Sequence, residues 1–307
     1  MKSVPRTVGW GIALATATAL ISGVSVFVNG LIVKEFADPV VLTGTRNALV
    51  GAALLTILVA TGGLREVRGL SRRPAGALLA IAAIGGSIPF ILFFTGLAQA
   101  TGPGAAFIHK TLFVWVAVLA VPFLGESLGI AQIVALGALF AGTMLVGPTG
   151  AVSPGPAELL ILAATAMWAV EVVIVRALLR RSDISVRLAA TARMAIGALV
   201  IMGFLAITGR LGGVAALTAT QWGLIAATGV LLFGYVTTWY AALQRAPAAM
   251  VASILVGGAV VTAVLSVVRT GSVPAPAVEA GLVTLAIGVV VTILAARRWD
   301  PAGPARG

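Results

Sequence analysis

Along this chain, apolar residues gather in runs of about twenty, separated by short polar joints, from one end to the other. A run of that length matches the roughly 20 residues that a helix needs to cross a bilayer core. Ten such runs are expected, at approximately 8–29, 40–61, 75–97, 104–124, 129–148, 157–178, 188–208, 222–242, 248–268 and 277–296. Glycine and proline mark the joints: Gly62-Gly63, Gly102-Pro103-Gly104, Gly147-Pro148, Pro154-Gly155-Pro156, Gly212-Gly213 and Pro274-Ala275-Pro276. The joints are short, so the pattern predicts an all-α integral membrane protein with no separate soluble domain and the lipid bilayer as its surroundings.

Composition agrees. Only 9% of residues are charged and the mean hydropathy is +1.13, whereas soluble chains carry about a quarter charged residues. The first run follows the basic Lys2 and Arg6 but shows no small-residue cleavage site, so it reads as a retained first span. Cysteine is absent, which removes disulfide and thiol chemistry. No metal-ligand spacing, phosphate-binding glycine loop or nucleophile elbow is present, so no metal and no cofactor are expected.

The net charge of +11 would suggest nucleic acid in a soluble protein. Here it tracks topology. With the N-terminus cytoplasmic, that side receives Lys2, Arg6, Arg65, Arg68, Arg72, Arg73, Arg180, Arg181, Arg187, Arg245, Arg297, Arg298 and Arg306, and the other side only Lys34, Arg210 and Arg269. Positive charge collects in cytoplasmic loops, so both termini are expected to be cytoplasmic and nucleic acid is not expected as a partner.

The chain also repeats itself at a lag of 146–147 residues. "LTGTRNALVGA" (42–52) lies over "AATARMAIGAL" (189–199), which pairs Arg46 with Arg193. "FTGLAQATGPGAAF" (94–107) lies over "YAALQRAPAAMVAS" (240–253), and "LGALFAGTMLVG" (136–147) over "LVTLAIGVVVTI" (282–293), pairing Gly142 with Gly288. Five spans per copy is an odd number, so the second copy must cross in the opposite sense. The expected architecture is ten transmembrane helices as two inverted five-helix repeats, residues 1–150 and 151–307, together one membrane domain. Inverted repeats of this kind build transporters with a site near the midplane.

These features resemble a known family. Ten spans in two halves, an arginine early in the second span of each half, "TGLAQATGPGAAF" leading into the fourth span and "FLGESL" (123–128) after it are similar to EamA-type transporters of the drug/metabolite transporter superfamily. The resemblance covers nearly the whole chain. It implies a basket in which spans one to four and six to nine surround a cavity, with spans five and ten at the periphery. It also implies movement of small organic solutes, often as export. Two departures stand out: Gly125-Glu126 becomes Gly271-Ser272 in the second half, and the fourth span carries His109-Lys110 where its mate has Leu255-Val256.

Polar residues inside spans are costly, so each calls for a role. Glu171 stands deepest, in "MWAVEVVIVR", too short to reach either interface; it is expected to face the cavity and hold a cation or a proton, or else to form a structural ion pair. Trp168, one turn earlier, shares its face. Lys110 lies about 9 Å of helix rise into its span and either lines the cavity or snorkels outward. His109 points about 100° away from it and either relays protons or packs as a hydrogen-bonded ring. Phe90 and Tyr235 are candidates for the cavity wall, while Trp239 and Tyr240 are expected in the interfacial belt. Arg46 and Arg193 are assigned to gating or structure, as carbonyl caps or a gate ion pair. Pro89 should kink or loosen the third span. Glu126 and Arg176 lie near the cytoplasmic ends and are expected to anchor there. The stretch "GALFAG" (137–142) allows close helix packing, either within the chain or between copies.

The expected function is a secondary transporter of a small organic metabolite in the cell membrane, working by alternating access, as an exporter and with proton coupling through Glu171 assisted by His109. The alternatives are a channel or a binding protein without carrier turnover, and an intramembrane enzyme. A single histidine and no acidic cluster argue against the last.

Overall fold

The computed structural model describes residues 6–100, 102–147 and 155–296, all of them in helices and short connections. The expected repeat boundary at 150/151, together with Lys2, Arg297, Arg298 and Arg306, lies outside the described residues. The first half comprises α1 (Arg6–Ile32) with a 3-10 turn at Val33–Glu35, α2 (Pro39–Ala60), α3 (Leu64–Arg68), α4 (Arg72–Gly86), α5 (Ile88–Leu97), α6 (Gly102–Lys110), α7 (Leu112–Leu124) and α8 (Ile130–Val146). The second comprises α9 (Pro156–Arg181), α10 (Val186–Thr191), a π-helical turn at Ala192–Ile196, α11 (Gly197–Ile207), α12 (Gly212–Ala215), α13 (Ala219–Arg245), α14 (Ala248–Leu255), α15 (Gly258–Thr270) and α16 (Pro276–Ala296). Among the described residues, 9 segments are long and apolar enough to cross a membrane, and α8, with 17 residues, is shorter. The protein is a multi-pass membrane protein.

The two halves share much of their element order. A one-turn helix follows the second span in each (α3 and α12), and the fourth span breaks in each (α6–α7 and α14–α15). Both breaks are i→i−3 turns, at Thr111 N–H to the Ile108 carbonyl (3.1 Å) and at Gly257 N–H to the Ile254 carbonyl (3.0 Å). Helices α7 and α15 both end on a glycine in the left-handed region, Gly125 and Gly271, each with φ +66°. That conformation strains any residue carrying a Cβ, which is why glycine stands at both ends.

Packing interleaves the halves. Helix α1 lies against α13, α14 and α15, while α9 lies against α4, α5, α6 and α7, so each first span is wrapped by third and fourth spans from the other half. Helices α8 and α16 pair along their length. A Cβ on Gly142 would come within 2.8 Å of the Gly281 carbonyl, and one on Gly288 within 2.9 Å of Leu139. Gly142 of "GALFAG" thus serves packing within the chain, while Gly137 has open space around it.

The second spans of the two halves form a spine. Gly44 of α2 meets Ile201 and Gly51 meets Ala195, so α2 and α10–α11 run antiparallel. Both ends are clamped. At one end Asp38, the N-cap of α2, accepts two bonds from Arg210 just beyond α11 (2.8 and 2.5 Å). At the other, Ser185, the N-cap of α10, donates its N–H and hydroxyl to Glu66 of α3 (2.5 and 2.8 Å). The clamps sit about 30 Å apart along a 22-residue helix, and each joins an N-cap of one half to the loop after the second span of the other.

The third span breaks at Ser87, whose φ −139° and ψ −72° end α4 and start α5. Pro89 is the cause. It has no N–H to offer the carbonyl of Gly85 four residues back, so the helix cannot run on and that carbonyl is left free. The Ser87 hydroxyl donates to the Ala82 and Ala83 carbonyls (3.0 and 3.1 Å), and its N–H also returns to Ala83, so the residue closes the end of α4. At the break the backbone presses against the π turn. A Cβ on Gly86 would lie 2.0 Å from the Arg193 carbonyl, and one on Gly197 would lie 2.6 Å from the Gly86 carbonyl.

Two predictions follow from these contacts. Gly86→Ala should lower the thermal midpoint by on the order of several degrees, or abolish monodisperse protein, because overpacking against backbone costs about 1–3 kcal/mol. Gly137→Ala, with open space around its Cβ, should leave the midpoint in place; size-exclusion after heating reads both. The second concerns acid. Burial alone would raise the Asp38 carboxyl, but the bond from Arg210 and the N–H groups of Val40 and Val41 outweigh it and hold it below its ordinary 3.8. The clamp's contribution is therefore fully present above that value and lost as pH falls through the lower folded value. Asp38→Asn should lower the neutral-pH midpoint and flatten its fall below about pH 4.

Candidate functional site

Helix α9 carries Glu171 into the centre of the bundle, where it is 1% exposed. Its carboxylate accepts a hydrogen bond from the Tyr240 hydroxyl of α13 and lies 3.6 Å from Arg193 Nε in the π turn. Arg193 in turn stands over the Tyr240 ring, 5.9 Å from its centroid. Helix α4 makes room: a Cβ on Gly85 would meet Glu171 Cγ at 2.4 Å. The chain thus spends a glycine, a helix break and a π turn on seating one ion pair. Pi turns of this kind concentrate at functional sites.

The break also orients Trp168. Its Nε1–H donates to the Gly85 carbonyl (3.1 Å), the acceptor left free by Pro89. Around the indole stands an aromatic wall. Phe90 meets it edge-on at 5.2 Å between centroids, His109 at 5.0 Å and Phe93 tilted at 5.7 Å; Phe93 and His109 also touch, at 5.4 Å. The His109 ring is half-buried and its Nδ1 has no hydrogen-bond partner among the described residues. Tyr235 and Trp239 stack at 6.1 Å on α13. The structure therefore joins Glu171, Trp168, His109, Phe90, Pro89 and Arg193 in one connected region, and Tyr240 belongs to it as well. Tyr240 and Trp239, expected in an interfacial belt, are instead 0% and 2% exposed. Helix α13 runs on to Arg245, so these rings lie well inside it.

Lys110 is the last residue of α6 and is half-buried, without a hydrogen bond or ion pair among the described residues. A cation there faces the negative end of the half-helix dipole. The break, not an uninterrupted helix, is its setting.

Glu126, Arg176 and Arg180 form a second centre at the far ends of α7, α9 and α13. The left-handed Gly125 turns the chain so that Glu126 reaches the start of α14, where its carboxylate accepts from the N–H groups of Ala248 (2.7 Å) and Ala249 (3.1 Å). Arg176 Nε lies 3.8 Å from Glu126, and its Nη1 donates to the carbonyls of Leu243 (2.7 Å) and Gln244 (3.0 Å) at the end of α13. Arg180 donates to the Leu124 carbonyl at the end of α7 (3.1 Å). Both Glu126 and Arg176 are buried, so they cap helix ends inside the protein and do not anchor it at the interface. Burial pushes the Glu126 carboxyl above the usual range, against the pull of the two N–H groups and Arg176.

Arg46, 7% exposed in α2, donates from Nη1 to the Asn29 side chain of α1 (2.9 Å). It caps no carbonyl and, among the described residues, pairs with no carboxylate. The two related arginines thus do the same thing with different partners: each reaches the first span of its own half, Arg193 to a carboxylate and Arg46 to an amide.

A buried polar centre flanked by broken helices lies between two halves of a multi-pass membrane protein, an arrangement that membrane transporters use. Residues 9–147 and 155–294 each match the model of the EamA-like transporter family, and the chain belongs to that family. A solved structure titled "Crystal structure of protein" shares the fold, with a TM-score of 0.76 and 19% identity, covering 98% of this chain and 100% of that one. No curated protein matches the chain.

The capping role of Glu126 is testable. Glu126→Ala leaves two N–H groups of α14 and the Arg176 guanidinium without their acceptor, and should cost about 1–3 kcal/mol. Glu126→Gln keeps an acceptor and should recover part of that loss. Thermal midpoints of the two variants measure it, and equal, unchanged midpoints would return Glu126 to a surface role.

Proposed function

We propose that the protein is a secondary transporter that carries a small organic solute across the cell membrane by alternating access, in the export direction that the family resemblance implies. The observation that carries the reading is the matched pair of broken fourth spans, α6–α7 and α14–α15, since transporter sites are built from discontinuous helices near the repeat interface. The antiparallel spine of α2 and α10–α11 supports insertion of the halves in opposite senses. That reading makes α8 the fifth of ten spans, with both termini cytoplasmic. Because the spine is clamped at both ends, motion is assigned to the elements packed around it, α9 and the broken third and fourth spans. The cavity-facing groups are then Glu171, Trp168, His109, Phe90, Tyr235 and Lys110.

Proton coupling is assigned to Glu171. The groups facing it are Arg193 from the π turn and Tyr240 from α13, with Tyr235 of α13 near enough to feel its charge and Gly85 contributing no side chain. With Arg193 in place the carboxylate is charge-paired. A movement of α9 against the spine that separates them would leave a carboxylate in a dry interior, and a proton would then neutralise it.

The test is counterflow of labelled solutes into proteoliposomes. Saturable counterflow is expected, and a pH gradient should drive net uptake in the parent protein by at least about tenfold more than in Glu171→Gln, while Glu171→Gln still exchanges solute. Full gradient-driven transport by Glu171→Gln would remove the proton role. Non-saturable flux would indicate a channel, and chemically altered solute an enzyme.

A further inference from the structure

Among the described residues, the buried charged side chains are three arginines, Arg46, Arg176 and Arg193, and two glutamates, Glu126 and Glu171. Arg176 is answered by Glu126 and Arg193 by Glu171. Arg46 has no carboxylate partner among the described residues. Of its guanidinium N–H groups, Nη1 donates to the neutral Asn29, whose own amide nitrogen donates to Ser25 (3.1 Å), and Nε finds no acceptor.

Its neighbours are in the same condition. Asn47 is 0% exposed, and neither its amide oxygen nor its amide nitrogen is bonded. The hydroxyls of Thr43 and Thr45, 1% and 3% exposed, are also without partners. Buried polar groups left unpaired are rare in folded proteins. Here a guanidinium nitrogen, an amide and two hydroxyls share little more than one turn of α2, about 10 Å of helix rise from its start.

The repeat shows what is missing. Arg193, the mate of Arg46, is charge-paired with the carboxylate of Glu171 at 3.6 Å although its Nε makes no hydrogen bond, and at the repeat lag of 147 the position of Glu171 corresponds to Val24. The first half keeps the cation, adds Thr43, Thr45 and Asn47 where the second half has Ala190, Ala192 and Met194, and has no acid at the position of Glu171. We propose that the carboxylate comes from the solute: Arg46, supported by Asn47, binds it, and the transported metabolite is an organic anion. This rests on the transporter reading above. A carboxylate fits the site in charge, with one guanidinium to answer, and in geometry, because the planar fork of arginine takes two carboxylate oxygens at once. The fork also separates this site from one that an ammonium would serve equally well.

The experiment is a thermal-shift titration of the purified full chain in detergent, with sodium acetate against sodium chloride at equal ionic strength. A ligand that binds the folded state raises the midpoint in a saturable way. Acetate should do so in the parent protein and chloride should not. Arg46→Gln should abolish the shift. Arg46→Lys, which keeps the charge but loses the fork, should weaken apparent affinity by about tenfold, as should Asn47→Ala. Acetate acting no better than chloride in the parent, or a shift that survives Arg46→Gln, overturns the proposal. Should Arg46→Gln fail to fold, unchanged affinity in both Arg46→Lys and Asn47→Ala overturns it equally. The two readings fail separately. An acetate shift without counterflow of any solute would keep the anion site and remove the transporter, while counterflow of amines with no acetate shift would keep the transporter and remove the anion site.

Discussion

The ion pair between Glu171 and Arg193 sets conditions on the rest of the bundle. A carboxylate at that depth must be met inside the protein, because breaking a buried pair leaves an uncompensated charge at a cost of about 3–5 kcal/mol. Meeting it requires three helices to come unusually close. Gly85 yields the volume that the glutamate occupies, and Gly86 and Gly197 let α4 lie backbone to backbone against the π turn. Pro89 ends α4 at the level where the contact is made, and the carbonyl it frees is taken up by Trp168. Each feature is unfavourable in an isolated helix. Together they have a single purpose, which is to seat Arg193 and Tyr240 on one carboxylate.

The spans were legible in the sequence because lipid imposes a simple rule, long apolar runs interrupted by turn residues. The repeat was legible for the same reason, with Arg46 over Arg193 and Gly142 over Gly288. What the sequence hid was connectivity across helices. In the sequence Tyr240 looks interfacial because it stands two residues from the expected span end at 242, whereas α13 continues to Arg245 with Tyr240 buried. Glu126 looked like an anchor because its partners, the N–H groups of Ala248 and Ala249, carry no side-chain signal. The break at Ser87 had a proline to announce it, and the one at Gly257 had a glycine pair. The break at Thr111 had neither, and the π turn at Ala192–Ile196 leaves no mark in composition.

The halves share a plan but not a chemistry. Helix α13 is continuous where its mate is split into α4 and α5. Glu171 has Val24 as its counterpart, and Glu126 has Ser272. On the proposed alternating-access reading, two identical halves inserted in opposite senses would make the two orientations of the bundle equal in energy. Each unmatched contact removes that equality, because it strengthens one arrangement and has no equivalent in the other. The capping of α14 by Glu126 is one such term, and the triad on Glu171 is another. Asymmetry of this kind is what a carrier needs if its resting state is to be one conformation and its solute is to shift the population.

The adjacent His109 and Lys110 fit the same logic. In an unbroken helix a lysine at that depth would face either lipid or a packed neighbour, and both are costly. The helix does not continue: the Thr111 N–H and hydroxyl both return to the Ile108 carbonyl (3.1 and 2.7 Å), and α7 begins anew at Leu112. Lys110 is therefore a C-terminal residue, placed where the last carbonyls of α6 and the helix dipole favour a cation. His109, about 100° around the same turn, joins the aromatic wall of Trp168 and Phe93. The break that tolerates the lysine also directs the histidine, so a charge that looks out of place in an apolar run marks the point where the span is interrupted.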